Sequence, residues 1–341
     1  MNAPEKLKKD ESLDLTKQGC CGGPAQEGVA ACCVEDAEAK AMGEAGCGCA
    51  AVPPACCGES KQTPEESTDI TAEYRGHLSK AVSNESIRHA VRHRYGKVAE
   101  SQAGCGCGPE CCDAPMTDAA AISQRLGYSD QDMASVPSGA NMGLGCGNPQ
   151  AIANLMSGET VLDLGSGGGF DCFLAARQVG ESGSVIGVDM TPEMVSKARS
   201  NAEKTGYQNV EFRLGEIENL PVANDSVDAI ISNCVINLSP DKPRVFAEAY
   251  RVLKPGGRLA VSDIVAFAEM PHNIRRDWAL YTGCMAGASL VSDVETMLSS
   301  TGFTQVRIEP KDESKAFIHE WAPGTPVTEY VVSATIEAIK P

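Results

Sequence analysis

Apolar residues recur with two different periods along the second half of the chain. Short apolar runs, typical of strands buried on both faces, alternate with segments whose apolar residues recur every three or four positions, as in helices. The runs that predict strands are Thr160–Leu164, Ser184–Val188, Val210–Leu214, Val227–Ser232 and Arg258–Ser262. The segments that predict helices are Phe170–Val179, Pro192–Lys204 and Lys242–Leu253. This alternation predicts an α/β fold with a doubly wound, mostly parallel sheet.

A further helix is predicted before this region. It runs from about Asp69 to Tyr95, and Gly96 would end it. Its apolar residues are spaced about four apart: Leu78, Val82, Ile87, Val91 and Tyr95.

The two ends of the chain differ from this centre. Residues 1–70 contain no aromatic side chain and are rich in Gly, Ala, Glu and Pro, so we expect a flexible, disordered extension. At the other end, a helix after Ser292 and strands around Thr304–Ile308 and Tyr330–Ile336 predict a small α+β region, which either completes the sheet or forms a separate lobe. The predicted regions are 1–70, a helical and cysteine-loop region 71–150, a ligand-binding core 151–290, and 291–341.

Composition narrows the class of protein. A net charge of −17 over 341 residues argues against nucleic-acid binding, which requires clustered basic residues. The first 15 residues show no secretory signal, and no apolar stretch approaches the roughly 18 residues of a membrane span. We therefore expect a cytoplasmic protein whose thiols stay reduced. In that compartment, the 16 cysteines more often react or bind soft metals than form permanent bridges.

Half of the cysteines lie in the N-terminal extension. These eight are Cys20, Cys21, Cys32, Cys33, Cys47, Cys49, Cys56 and Cys57. Part of this set resembles a second cluster, because Gly46–Cys49 precedes one Cys-Cys pair and Gly104–Cys107 precedes another. The extension either captures a soft metal or metalloid, or is dispensable.

A glycine-rich turn joins the first strand of the core to its helix. Gly165-Ser166-Gly167-Gly168-Gly169 allows a sharp turn and close approach of a ligand, but Phe170 stands where a dinucleotide fingerprint has its third glycine. This favours a ligand that has a ribose and an amino-acid tail but no pyrophosphate. Asp189 ends the next strand and is placed to accept both ribose hydroxyls.

These motifs resemble those of class I S-adenosylmethionine-dependent methyltransferases. The segments that carry the resemblance are Val161–Phe170, Gly187–Pro192 and Arg251–Arg258. Within that class, the segments Val188–Met194, Gly215–Glu218, Ser232–Leu238 and Gly283–Gly287 resemble the arsenite methyltransferases. The resemblance covers roughly Tyr95 to Phe303 and implies a seven-stranded sheet and methylation, hence detoxification, of trivalent arsenic.

The resemblance also implies which residues bind S-adenosylmethionine. They are Asp163, Gly165 and Gly167 on the methionine side, with Ser166 in the same loop, Asp189 and Met190 at the ribose, Glu216 and Ile217 at the adenine, and Asn233 beneath the cofactor.

Three cysteines are candidate arsenic ligands. Cys234 ends a predicted strand at the edge of the sheet where α/β ligands bind, Cys284 follows the next strand, and Cys146 is placed to fold over the pocket. Trivalent arsenic is soft and favours thiolate ligands, and its lone pair can attack a sulfonium methyl group without a general base. The resemblance assigns arsenic binding to these three positions.

The family that the chain resembles uses a fourth thiol, thought to form a disulfide that reduces arsenic between methylations. Its loop corresponds here to the one that holds Cys105, Cys107, Cys111 and Cys112, of which Cys111 or Cys112 is favoured. A thiol reductant such as thioredoxin or glutathione would then restore the thiols.

Two other functions remain open from the sequence. The fold could methylate a small organic substrate, or the protein could be a thiol-rich module that sequesters metals or metalloids. An intact glycine loop and Asp189 argue against sequestration alone. The number of methyl groups added, antimony as a substrate and the oligomeric state also stay open.

Overall fold

The computed structural model describes residues 83–101 and 119–341. Its helices are α1 (Asn84–Ser101), α2 (Ala119–Arg125), α3 (Asp130–Ala134), α4 (Gln150–Ala153), α5 (Phe170–Val179), α6 (Pro192–Thr205), α7 (Lys242–Val252), α8 (His272–Arg275), α9 (Trp278–Thr282), α10 (Val291–Thr301) and α11 (Lys315–Trp321). Its strands are β1 (Thr160–Leu164), β2 (Ser184–Asp189), β3 (Val210–Leu214), β4 (Val227–Asn233), β5 (Leu253–Ala266), β6 (Thr304–Lys311) and β7 (Val331–Ile339).

The strands form one sheet in the order β3-β2-β1-β4-β5-β7-β6. Strands β1 to β5 pair in parallel with one another, whereas β7 runs antiparallel to both β5 and β6. The predicted doubly wound, mostly parallel sheet is confirmed. The two C-terminal strands complete this sheet and do not form a separate lobe.

Both faces of the sheet are buried. Successive residues of β1 enter different apolar clusters, since Val161 packs in the cluster of Phe173 while Leu162 packs in the cluster of Phe246. Helices therefore cover the two faces, which is why the central strands are apolar at consecutive positions.

Strand β5 is longer than the sequence predicts. The pattern predicts Arg258–Ser262, but the strand spans Leu253–Ala266 because its backbone pairs with β4 and β7 beyond the apolar run. It therefore carries Asp263 to the end of the sheet where β4 also terminates.

Helix α1 does not end at Gly96, so that prediction was wrong. A Cβ atom at Gly96 would lie 3.2 Å from the Glu193 carboxylate of α6, and glycine therefore allows the two helices to approach closely. A glycine inside a helix costs about 1 kcal/mol relative to alanine, and the helix continues through Gly96 in spite of it. At the start of the helix, the Ser83 hydroxyl accepts a hydrogen bond from the amide of Ser86 at 3.1 Å. The predicted part before residue 83 lies outside the described residues.

Six short helices were not predicted. They are α2, α3, α4, α8, α9 and α11, each of four to seven residues, too short to show a helical period. Among the described residues, no helix combines the length and apolar character needed to cross a membrane.

Candidate active site

The glycine loop between β1 and α5 lines an open cleft of about 1110 Å³. Gly165, Gly167 and Gly169 have φ of 72°, 50° and 93°, in the left-handed region that side chains disfavour. At Gly165, a Cβ atom would also lie 2.5 Å from a methyl group of Val235. The loop therefore needs glycine both for its turn and for its contact with the segment after β4.

The Asp189 side chain shapes this loop from the end of β2. Its carboxylate accepts hydrogen bonds from the amides of Gly167 at 2.9 Å and Thr191 at 2.8 Å. Burial raises the pKa of Asp189, and these two bonds oppose that rise. Asp189, Met190 and Ser166 all line the cleft, and the buried Ser166 hydroxyl has no hydrogen-bond partner among the described residues.

Two buried carboxylates form another part of the cleft wall. Asp163 accepts a hydrogen bond from the Cys172 thiol at 3.2 Å, and Asp171 accepts one from the Tyr128 hydroxyl at 2.7 Å. Burial raises the pKa of both, and the charge of Asp171 raises that of Asp163 further. Within the described ranges, neither forms a salt bridge with a basic side chain. The sequence analysis identified Asp163 but missed Asp171 and Tyr128.

The loop after β3 carries the residues assigned to the adenine. Ile217 lines the cleft, but Glu216 does not; its carboxylate pairs instead with Arg92 at 2.8 Å and Arg88 at 3.4 Å. The next acid, Glu218, lines the cleft and pairs with Arg88 at 3.1 Å. These ion pairs fasten α1 to the loop, and the role of Glu216 at the adenine stays a prediction.

The three candidate arsenic ligands come together at the carboxyl ends of β4 and β5. Cys146, Cys234 and Cys284 are all buried. The sulfurs of Cys146 and Cys234 lie within 4.8 Å of each other, and the Cys284 thiol donates to the Cys234 carbonyl oxygen at 2.8 Å. Residues 88 positions apart thus bring two sulfur atoms together, and the Cys284 thiol, 50 positions further on, contacts the backbone of Cys234.

Two of these cysteines have an unusual backbone conformation. Cys234 has φ of 60° and Cys284 has φ of 65°, values that cost about 1–2 kcal/mol each for residues other than glycine. Hydrogen bonds from the Cys234 amide to Ser262 O at 2.8 Å and from the Cys284 amide to Tyr281 O at 3.0 Å hold these conformations. Such strain concentrates at functional sites.

The three thiols are protonated at neutral pH. Burial raises the pKa of Cys146, while hydrogen bonding to a neighbouring cysteine, and then burial, raise the pKa values of Cys234 and Cys284. This describes the site before arsenic binds, and thiolate ligation of bound arsenic stays a prediction.

Asn233 joins the cysteine loop to the cleft wall. Its side-chain oxygen accepts the amide of Cys146 at 3.0 Å, and its nitrogen donates to Gly147 O at 2.9 Å. The same nitrogen donates to the Tyr128 hydroxyl at 3.1 Å and to Asp171 at 3.3 Å. Asn233 also lines the cleft. Its predicted position beneath the cofactor stays a prediction.

A second cleft, of about 1130 Å³, reaches the thiols by another route. Cys234 and Cys284 line it together with Trp321, and it shares Tyr95, Leu144 and Cys234 with the glycine-loop cleft. The two clefts therefore meet at Cys234.

The remaining cysteines are placed elsewhere. Cys172 lies on α5 beside Asp163, apart from the thiol cluster. Cys105, Cys107, Cys111, Cys112 and the eight cysteines before residue 83 lie outside the described residues. Their predicted redox and capture roles stay predictions.

A buried acid beside the thiols, Asp263, was also missed. Its carboxylate lies within 4.8 Å of the sulfurs of Cys146 and Cys234. Burial raises the pKa of Asp263 to about 6. An acidic residue inside the apolar run of β5 was the feature of the sequence that could have identified Asp263.

Comparisons with known proteins identify the family of the chain. Residues 155–302 match the family model described as a methyltransferase domain. The arsenite methyltransferase of Halobacterium salinarum is 56% identical over 75% of this chain and 67% of its own length. Those of Aquipseudomonas alcaligenes and Mus musculus are 41% and 36% identical, over 65% and 67% of this chain and 63% and 61% of their own lengths. The chain thus spans about two thirds of the length of these relatives.

A solved structure is also similar. The crystal structure of an arsenic(III) S-adenosylmethionine methyltransferase from Chlamydomonas reinhardtii is 36% identical, covers 64% of this chain and 72% of its own, and has a TM-score of 0.48. The extent of the match to the Halobacterium relative decides the assignment, and the predicted class I methyltransferase fold is confirmed. This chain is a member of the arsenite methyltransferase family.

Proposed function

We propose that this protein transfers methyl groups from S-adenosylmethionine to trivalent arsenic bound by Cys146, Cys234 and Cys284. The observation that carries the proposal is the meeting of these buried thiols beside the glycine-loop cleft. The family of the chain supports the same chemistry.

The cleft has the chemistry that S-adenosylmethionine requires. When bound, this cofactor supplies an electrophilic methyl group on a sulfonium. The buried Ser166 hydroxyl lacks a partner among the described residues, which suits a polar ligand in the glycine loop. Asp163 and Asp171 offer negative charge to an ammonium group, and Asp189 offers acceptor oxygens to ribose hydroxyls.

Arsenic binding balances without a base, because the thiols carry their own protons. Each As–OH bond of arsenous acid exchanges for an As–S bond, and the thiol proton leaves with the hydroxide as water. We infer that arsenic arrives through the second cleft, which Cys234 and Cys284 line, while the cofactor occupies the first.

The protein then acts mainly by positioning. The arsenic lone pair forms the As–C bond, while the electrons of the broken S–C bond remain on the donor sulfur. Arsenic is thereby oxidised by two electrons, so a further methylation needs a reductant. A dithiol drawn from the loop of Cys111 and Cys112, reset by thioredoxin or glutathione, would supply those electrons.

A methylation assay tests the proposal. Purified protein is incubated with arsenite, S-adenosylmethionine and a dithiol, and products are separated and quantified by arsenic mass spectrometry. We expect methylated arsenic from the wild type and a loss of at least about 100-fold in Cys234→Ser and Cys284→Ser, since serine is a poor ligand for soft arsenic. Absence of methylated arsenic from wild-type protein that binds S-adenosylmethionine would refute the proposal.

Cys172→Ser is the matched control for these variants. Cys172 is equally buried, and serine at this position retains a donor for Asp163. We expect its arsenic-to-protein ratio to equal that of the wild type. If the variants of Cys234 and Cys284 also bind arsenic normally and methylate an organic substrate, the alternative of an organic acceptor would replace this proposal.

A further inference from the structure

Asp263 lies beside the thiol cluster but makes no salt bridge within the described residues. It is 2% exposed and lies in β5, one residue beyond Ser262, which pairs with the last residue of β4. A carboxylate oxygen of Asp263 lies within 4.8 Å of the sulfurs of both Cys146 and Cys234. Burial of a charged group is unfavourable unless it is compensated, and here hydrogen bonds and the charge of Lys242 lower the pKa of Asp263 against the effect of burial.

The hydrogen bonds of Asp263 show what it holds. One oxygen accepts the amide of Ile236 at 2.9 Å; the other accepts the side-chain amide of Asn237 at 2.9 Å and the amide of Ile264 at 2.7 Å. Two of these three donors belong to the turn that directly follows Cys234. The carboxylate therefore fixes the direction in which the chain leaves this cysteine.

Cys234 needs support on both sides, because its φ of 60° is disfavoured. On its N-terminal side, its own amide donates to the carbonyl oxygen of Ser262 at 2.8 Å. On its C-terminal side, the bonds of Asp263 to Ile236 and Asn237 hold the turn. Consecutive residues of β5 thus fix the two sides of Cys234.

We propose that Asp263 is a positioning residue for arsenic capture, whose carboxylate holds the turn after Cys234 so that the Cys234 sulfur stays beside that of Cys146. The inference rests on the proposed function of the thiol site and deepens it. Asp263 acts through Cys234 and forms no bond to arsenic.

A carboxylate suits this task better than an amide. The donors from Ile236 and Asn237 reach different oxygens of Asp263. An asparagine offers one acceptor oxygen, so in either orientation its NH2 group would face one of these donors. Asp263→Asn therefore keeps the shape of the side chain and breaks one side of the support.

Asp228→Asn is a matched control at the other end of β4. The Asp228 carboxylate also accepts a backbone amide, that of Thr160 at 2.8 Å, and it pairs with Lys254 at 2.8 Å. Asp228→Asn can still accept the Thr160 amide with its remaining oxygen but loses the ion pair with Lys254, so both variants should lower the melting temperature. Only Asp263 lies next to the thiols.

The experiment measures arsenite KM, kcat, arsenite binding and S-adenosylmethionine binding for both variants. We expect Asp263→Asn to raise arsenite KM and its dissociation constant about tenfold, which corresponds to about 1.4 kcal/mol. Its kcat at saturating arsenite and its affinity for S-adenosylmethionine should stay within about twofold of wild type. Asp228→Asn should leave all four quantities unchanged.

An arsenite affinity of Asp263→Asn within twofold of wild type would overturn the inference, as would an equal loss in Asp228→Asn. If Asp263→Asn does not fold, Asn237→Ser removes one of the bonds to the carboxylate and should raise arsenite KM by a smaller factor. Failure of the proposed function is distinguishable: wild-type protein would then form no methylated arsenic, while arsenite titration would still report the effect of Asp263.

Discussion

Replacing Asn233 by aspartate tests whether this amide joins the two halves of the site. The substitution keeps the size and shape of the side chain but exchanges its NH2 group for a carboxylate oxygen. The hydrogen bond from the Cys146 amide to the remaining oxygen can persist, while the side chain no longer donates to Gly147, Tyr128 and Asp171.

The structure sets the size of the effect. The Asn233 nitrogen lies 3.3 Å from an oxygen of Asp171, and two unit charges at this separation repel by about 5 kcal/mol at an effective dielectric constant of about 20. Loss of the donation to Gly147 O adds about 1 kcal/mol. Retention of a proton by one carboxyl relieves part of the repulsion. We therefore expect the free energy of unfolding to fall by about 3–5 kcal/mol at pH 7.

The pH dependence of the loss has a defined sign. Repulsion raises the folded-state pKa of the carboxyl pair above the unfolded value of about 4. The loss is therefore complete above the raised pKa and shrinks as the pH falls towards 4. Urea unfolding of wild type and Asn233→Asp at pH 7 and pH 5 measures this, together with the arsenite dissociation constant at pH 7.

Asn209→Asp provides the control. The Asn209 nitrogen donates to Ala176 O at 3.1 Å and Gly180 O at 3.0 Å, which are carbonyl groups away from the site. We expect Asn209→Asp to lower the free energy of unfolding by about 1–3 kcal/mol and to leave arsenite binding unchanged. The reasoning is refuted if Asn233→Asp is no less stable than Asn209→Asp, or if its arsenite affinity stays within twofold of wild type.

Three further predictions concern the thiols, α1 and the loop after Cys284. Because the raised pKa values keep the thiols protonated, arsenous acid exchanges water for sulfur without net proton change. Its affinity should therefore be constant from about pH 7 to 8, above the pKa of Asp263 of about 6. A tenfold fall over this range in a binding titration would contradict protonated thiols. Arg88→Met leaves the buried Glu218 without the cation it pairs with. The dissociation constant of S-adenosylmethionine, measured by calorimetry, should therefore rise about three- to tenfold, with arsenite binding unchanged. Equal effects on both ligands would contradict a role of Arg88 limited to the cofactor cleft. In Gly287→Ala, the added methyl group would collide with the carbonyl oxygen of Asn237. Thermal unfolding should show a fall of about 2–4 kcal/mol in the free energy of unfolding. An unchanged melting temperature would show that the loop moves to accommodate the methyl group.

The sequence predicts the parallel part of the sheet well because its signals are local. Val210–Leu214 and Phe170–Val179 have the predicted bounds, since each apolar segment is flanked by polar or glycine residues. The position of β7 between β5 and β6 depends on pairing between distant segments, which no local pattern reports. Gly96 misled the prediction because a single glycine can also lie inside a helix that continues beyond it.

The candidate site also has residues that local motifs predict and residues whose roles depend on distant contacts. The glycine loop, Asp189 and the cysteines lie in motifs that can be identified in the sequence. Asp171 and Asp263 gain their roles from contacts with residues far along the chain, Tyr128 and Asn233 for the first and the turn after Cys234 for the second. Sequence alone shows that such acids interrupt apolar runs, but not what they hold.

The loop of Cys146 is held in place by the last strand of the sheet. The Ser333 hydroxyl of β7 donates to the carbonyl oxygen of Cys146 at 2.7 Å. Ser333 lies 187 residues beyond Cys146 along the chain, in a strand that pairs with β5. The Cys146 loop therefore gains this contact only when β7 has joined the sheet.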